Sequence, residues 1–329
     1  MKKTRAIVLL SGGLDSRLCA KILQEQGIEV IALHFILPFL GCCKPDCSFK
    51  FTQLEGIKLK IIDCTKGKNF QEYIKMIKKP KHGYGSAINP CIDCHIFMLK
   101  KAKQIMDKEK ADFIATGEVL NERPMSQHKQ SLNLIEKESG LKGKLLRPLS
   151  AKLLEETEAE KKKLVDRSML LAIHGRIRKP QMDLAEKYKI SYPLPAGGCL
   201  LCEEEFAKKI KDLFKHKKKL TQEDINLLRL GRHFRVNNTK IIVGRNEKEN
   251  NQIQELSKNN IIMEVKDASS PITLIEGKAD NEILKKAAAL TMRYSDANQG
   301  IVIYGKNKMD KEIKTKALNE EEIEKIRIK

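Results

Sequence analysis

Apolar residues in this chain come in short runs separated by amphipathic stretches. Ala6-Ile7-Val8-Leu9-Leu10 is continuously apolar, the pattern of a strand covered on both faces. It ends in Ser11-Gly12-Gly13, and over 17–26 Leu18, Cys19, Ile22 and Leu23 recur at helical spacing. Further strands are expected at 28–35, 58–64 and 112–117, and helices at 70–78 and 91–106, with a Gly-, Pro- and His-rich loop at 79–90. Strands alternating with helices predict an α/β fold, a doubly wound parallel sheet. Such sheets bind ligands at the carboxyl ends of their strands. Gly12-Gly13, His34-Phe35 and Gly117-Glu118 fall at three such ends, so three separate segments should meet at one crevice.

Downstream, a helix is expected at 126–138 and an apolar segment at 145–150. One long polar helix or two shorter ones follow at 155–174, then another at 181–189. An extended loop at 192–198 leads to Cys199, and 203–219 is a strongly basic helix. The pattern restarts at Thr221-Gln222-Glu223, a helix-opening signal. Strands at 239–243, 261–265, 272–275 and 300–304 then alternate with helices at 247–258 and 280–294. The expected division is a domain at 1–219 and a second, smaller α/β domain at 220–329.

Hydrophobic residues make up 41% of the 329, enough for two cores, and no run approaches the length of a membrane span. Lys2-Lys3 precedes an apolar run too short for a signal peptide. Nine cysteines, an odd number without a leader, fit a cytoplasmic protein whose thiols serve chemistry or metal binding better than a disulfide framework. The net charge of +20 favours a polyanionic partner, nucleic acid first. With no Trp and 5% aromatic residues, backbone and shape contacts with folded RNA are favoured over base-stacking platforms.

The chemistry begins at Ser11-Gly12-Gly13-Leu14-Asp15-Ser16. Two glycines let the backbone approach a ligand, and loop N–H groups with a helix N-terminus attract an anion. Ser11 and Ser16 can donate to phosphate oxygens, and Asp15, which repels a bare phosphate, suits Mg²⁺. The P-loop pattern G-x-x-x-x-G-K-[ST] is absent here. Two C-x-x-C pairs follow, Cys91/Cys94 after Asn89-Pro90 and Cys199/Cys202 after Gly197-Gly198. The spacer is far longer than in a zinc ribbon, so only the fold could bring the pairs together.

The six-residue loop resembles the pyrophosphate (PP) loop of the adenine nucleotide alpha-hydrolase-like ATP pyrophosphatases. Together with Asn89-Pro90-Cys91-x-x-Cys94, Ala115-Thr116-Gly117-Glu118 and Gly197-Gly198-Cys199, it is similar to the tRNA thiouridine synthases of the ThiI and MnmA type, over roughly residues 1–215. That resemblance implies a tRNA sulfurtransferase. ATP would adenylate a uridine carbonyl oxygen, and sulfur would then displace AMP. It places ATP on Ser11, Gly12, Gly13, Leu14, Asp15, Ser16, His34, Phe35 and Gly117, with Asp15, Cys91, Cys94 and Cys199 catalytic. In the iron–sulfur branch of these enzymes three cysteines hold a 4Fe–4S cluster. Cys91 and Cys94 match the pair, and Cys199 or its rival Cys202 supplies the third. In the other branch a cysteine pair forms a persulfide or disulfide instead, and structural zinc is a third reading of these cysteines. The sulfur donor would be free sulfide or a cysteine desulfurase.

Arg147, Arg176, Arg178, Lys179, Lys217 and Lys218 suit an RNA backbone, although basic runs are often solvated surface. Glu118, Arg123, Ser126 and Gln127 follow a strand end and are as readily exposed polar residues as functional ones. Cys42, Cys43 and Cys47 fit no motif, and Cys19 and Cys64 fall on inward faces. The C-terminal segment with Ile301-Val302-Ile303-Tyr304-Gly305 resembles the RNA-binding domain of NFACT-type proteins. In 4-thiouridine synthetases an RNA-binding domain precedes the PP loop. Here the loop starts at residue 11, so the C-terminal domain is expected to take that part. Two alternatives stand beside thiolation: adenylation of a small molecule, and a non-catalytic RNA-binding protein that keeps the nucleotide fold.

Overall fold

The apolar run after Thr4 forms β1 (Arg5–Leu9), the middle strand of a five-stranded sheet. The computed structural model describes residues 3–40, 45–193 and 198–328. They fall into two units, Met1–Cys202 and Glu203–Lys329.

In the first unit β1 is flanked by β2 (Glu29–Ile36) and β4 (Phe113–Thr116), with β3 (Lys58–Asp63) and β5 (Leu145–Leu146) at the edges. All four pairings are parallel, with Ala6 opposite Val30 on one side and Phe113 on the other. This is the doubly wound sheet expected from the alternation. Helices α1 (Leu14–Glu25), α2 (Pro45–Leu54), α3 (Gly67–Lys78) and α4 (Cys91–Glu109) connect its first strands. Helices α5 (Lys129–Ser139), α6 (Glu158–Lys161) and α7 (Lys179–Lys187) follow. Ala6, Ile7 and Val8 are wholly buried, and Leu18, Cys19 and Leu23 of α1 join Val30, Ala32 and Phe113 in one core.

One local expectation is corrected, and one helix goes unexpected. The stretch 155–174 holds only one turn of α-helix, α6, and a 3₁₀ turn at Arg167–Met169. Thr157 caps α6 through a capping box with Glu160, but Lys163 turns left-handed and stops it. Arg167 then spends its guanidinium on Glu160 and on the carbonyls of Ala151 and Leu154, which fixes the non-helical path. Helix α2 has no counterpart among the expected elements, because its first residues fall in a cysteine-rich stretch of sequence without helical periodicity. Cys42 and Cys43 lie outside the described residues.

The second unit begins with α8 (Glu204–His216) and α9 (Gln222–Leu228). A six-stranded antiparallel sheet follows, in the order β11-β10-β8-β9-β7-β6. Its strands are β6 (Arg232–Val236), β7 (Thr239–Val243), β8 (Ile261–Val265), β9 (Thr273–Glu276), β10 (Gln299–Gly305) and β11 (Lys311–Lys316). Helices α10 (Glu247–Leu256), α11 (Asn281–Arg293) and α12 (Glu320–Ile326) complete it. The division therefore lies before the basic helix α8, not after residue 219. Asp212 of α8 pairs with Arg235 of β6, and Lys209 donates to the Gly231 carbonyl, which ties α8 to the second unit. β11 carries no apolar run because it is a charged edge strand, which discourages pairing with other chains. Among the described residues no helix is long and apolar enough to cross a membrane.

Candidate active site

The carboxyl ends of β1, β2 and β4 open on a cavity of about 370 Å³. Its lining includes Ser11, Gly13, Asp15 and Ser16 of the PP loop, His34 and Phe35, Gly117 and Glu118, and the thiol-bearing residues Cys91, Cys94 and Cys199. The three strand ends and the two cysteine segments picked from the sequence thus share one cavity.

The PP loop is held from behind. Gly12 sits at φ +85°, and a Cβ there would come within 3.0 Å of Ser48 Oγ. Arg17, buried in the first turn of α1, donates Nε–H to the Gly12 carbonyl at 2.8 Å. Its other nitrogens donate to the carbonyls of Ser191 and Cys47. With that carbonyl fixed backwards, Gly13 caps α1 without a side-chain bond, leaving first-turn N–H groups for an anion. Ser16 Oγ donates to the Gly13 carbonyl at 2.9 Å and lies 3.2 Å from Ser11 Oγ. Leu14 turns its side chain into the core, so only its backbone can serve a ligand. Arg17 belongs to no motif in the sequence. Its one signal was a cation amid the apolar face Leu14, Leu18 and Cys19.

Gly117 approaches this loop so closely that a Cβ would stand 2.5 Å from the Asp15 carbonyl carbon and oxygen. Asp15 faces the cavity, its Oδ1 buried and without a hydrogen-bond partner. Burial raises its carboxyl pKa, against the pull of Arg178, whose Nη2 is 3.9 Å away. His34 is buried, with Nδ1 2.8 Å from the Leu10 carbonyl and 3.0 Å from Ser48 Oγ. A carbonyl only accepts, so Nδ1 carries the proton and Nε2 is left as a buried acceptor without a partner. Burial lowers the His34 pKa, although the bond to Leu10 opposes this.

Cys91 and Cys94 share the first turn of α4, with Asn89 Nδ2 donating to Cys91 Sγ at 3.3 Å and the Tyr73 hydroxyl 3.4 Å from Cys94 Sγ. Asp93 accepts from the backbone N–H groups of Lys81 and His82, which anchors the loop before α4. Cys199 reaches the same place because its segment pairs with Leu40 and Leu201 accepts from Ile88 N–H. Burial pushes the Cys94 and Cys199 thiols up to about 12, and nearby cysteines add to the rise. A helix N-terminus favours a thiolate, but at Cys94 desolvation wins. Cys202 is exposed and does not line the cavity. Among the described residues no three His, Cys, Asp or Glu side chains stand in a metal-holding arrangement.

Arg147 is corrected as an RNA contact. It is 4% exposed, donating to Glu118 at 3.0 Å and to Glu136 at 3.1 Å. Glu118 also accepts from Thr116 and meets His95 Nδ1 at 2.8 Å. Burial alone would raise the Glu118 pKa, but Arg147, His95 and Thr116 hold it at about 2. Glu122, Arg123 and Gln127 line the cavity, and Ser126 is buried near them. Arg176 and Lys179 are exposed, and Arg178 is half-buried beside Asp15. In the second unit Lys217 pairs with Asp224, and Lys218 is exposed.

Residues 2–164 match a family model described as thiamine biosynthesis protein (ThiI), and residues 231–327 match one described as NFACT protein RNA binding domain. The chain is 34% identical over 134 residues to the tRNA-specific 2-thiouridylase MnmA of Leptospira interrogans, covering 36% of this chain and 34% of that protein. It is 30% identical over 136 residues to MnmA of Petrotoga mobilis, covering 36% of each. The alignments span about a third of the length of these curated relatives. The solved structure of the U34-tRNA thiolase NcsA from Methanococcus maripaludis with its 4Fe–4S cluster is 24% identical. It covers 69% of this chain and 72% of that chain at a TM-score of 0.35, too slight a likeness to bear on the site. The ThiI and NFACT likenesses read from the motifs thus recur in two independent family models, one for each part of the chain.

Proposed function

We propose that this protein thiolates a uridine of tRNA with ATP, adenylating a carbonyl oxygen and then replacing AMP by sulfur. One observation carries the reading: the PP loop and Cys91, Cys94 and Cys199 line a single cavity. A protein that only adenylated would have no use for three thiols there. The two curated relatives named above are tRNA-specific 2-thiouridylases, and the NFACT-type match at 231–327 supports an RNA partner.

ATP would bind with its phosphates on the free N–H groups at the start of α1 and its base towards His34 and Phe35. The orphaned Asp15 Oδ1 suits Mg²⁺, which would neutralise charge on the leaving pyrophosphate. The uridine must leave its stack to place a carbonyl oxygen beside the α-phosphate. That oxygen attacks, pyrophosphate leaves, and the loop N–H groups stabilise the charge on the phosphoryl oxygens. AMP, unlike the original oxygen, is a good leaving group for the incoming sulfur.

Three thiols are the donor type an iron–sulfur cluster takes, although among the described residues they do not stand in a metal-holding arrangement. Such a cluster, when bound, supplies an iron on which sulfide can be carried. Cys91, Cys94 and Cys199 would hold it and must lose their protons to do so, and the Tyr73 hydroxyl could then donate to the Cys94 thiolate. Persulfide chemistry on the same thiols is the alternative.

The test is an anaerobic assay in which iron-reconstituted protein receives ATP, Mg²⁺, sulfide and unthiolated tRNA, with nucleosides read by mass spectrometry. An ATP-dependent thionucleoside is expected. AMP and pyrophosphate without a thionucleoside would overturn sulfur transfer in favour of small-molecule adenylation.

A further inference from the structure

Ile177 is 76% exposed, the most exposed of the large apolar side chains among the described residues. It stands between Arg176 and Arg178, with Lys179 next. The loop that carries it is fixed, not loose. His174 forms a parallel bridge with Leu120, and Gly175 N–H donates to the Leu120 carbonyl at 2.7 Å. Leu120 lies between Glu118 and Glu122, which both line the cavity. Gly175 then turns left-handed at φ +80°, and Arg178 comes back to within 3.9 Å of the Asp15 carboxylate. The loop thus runs along the rim of the cavity, with its two exposed cations and its one bare aliphatic side chain facing solvent.

A lone apolar side chain bracketed by cations is poorly suited to water and well suited to a base step held by its phosphates. We infer that Ile177 is a wedge: it enters the RNA stack where the target uridine leaves it, while Arg176 and Lys179 hold the flanking phosphates. This rests on the proposed uridine thiolation, which requires the base to be drawn out of its stack into the cavity. Extrusion leaves a gap, and an apolar side chain at the rim fills it and slows the return of the base.

The test uses full-length protein and a tRNA with 2-aminopurine beside the uridine identified by the thiolation assay. Without ATP or iron, wild-type protein is expected to raise 2-aminopurine fluorescence on binding. Ile177→Ala should abolish most of that rise while leaving tRNA affinity within about twofold, since the phosphate contacts remain. Ile177→Phe should keep the rise. In thiolation, Ile177→Ala should lose on the order of tenfold or more in kcat/KM on folded tRNA. It should lose far less on a short single-stranded fragment carrying the same uridine.

An undiminished fluorescence rise with Ile177→Ala would overturn the wedge. So would equal losses on folded tRNA and fragment, or a defect seen only when a protein sulfur donor replaces sulfide. That last result would mark Ile177 as a protein contact. If wild-type protein makes no thionucleoside, the thiolation reading itself fails. If wild-type thiolates and Ile177→Ala is indistinguishable from it, only the wedge fails.

Discussion

Gly117→Ala tests the close approach that joins β4 to the PP loop. The added Cβ would lie 2.5 Å from the carbonyl carbon and oxygen of Asp15 and 2.6 Å from Ser16 N. These are backbone atoms of the first turn of α1, so no side chain can swing aside. Reaching ordinary contact requires a displacement of about 1 Å in one segment or the other. Overpacking of this kind costs typically 1–3 kcal/mol. For a unit of this size that is a fall in Tm on the order of 2–4 °C per kcal/mol. The functional loss should exceed the stability loss, because under the proposed function the atoms displaced are those that would orient the phosphates. A misplacement of about 1 Å can lower turnover by about a hundredfold. Calorimetry gives the first quantity and tRNA-dependent AMP formation the second. A Gly117→Ala protein with wild-type Tm and wild-type AMP formation would refute the reasoning, since the two segments would then have room that this geometry denies.

Other consequences follow from the buried charges and thiols. Asp15→Asn should raise the Tm of the ligand-free protein, because burial makes the Asp15 carboxylate unfavourable there. It should also lower Mg²⁺-dependent AMP formation by about 100-fold or more. The folded pKa of Glu118, about 2, lies below its ordinary 4.5. Its contribution to stability is therefore complete above pH 4.5 and lost as pH falls towards 2, as urea unfolding across that range would show. Arg147→Met should weaken that dependence and destabilise the first unit by about 3–5 kcal/mol, because Glu118 is left buried without its largest stabilising partner. At neutral pH the raised Cys94 and Cys199 thiols should react with iodoacetamide at least about tenfold more slowly than exposed Cys202, as peptide mass spectrometry would reveal.

The sequence alone determined the parallel sheet, the place of the PP loop and the cysteines worth watching. Each of these rests on local physics. A strand buried on both faces must be continuously apolar, as at 6–10, and a loop that receives phosphate needs glycine where Gly12 turns left-handed. Capping chemistry likewise marked the start of α9 at Thr221. The tertiary structure decided what depends on residues far apart in the chain. Arg147 reads as a free cation until Glu118 and Glu136 close around it, and Arg17 as a lone cation amid apolar neighbours until three carbonyls converge on its guanidinium. The unit boundary moved because Asp212 and Arg235 pair across the sequence break at 219. Cys199 reached Cys91 and Cys94, ahead of Cys202, because strand pairing at Leu40 fixed its segment. Burial, which no local pattern encodes, then decided that Cys94 at its helix start is a thiol and not a thiolate, since removing water from a charge costs more than a helix dipole returns.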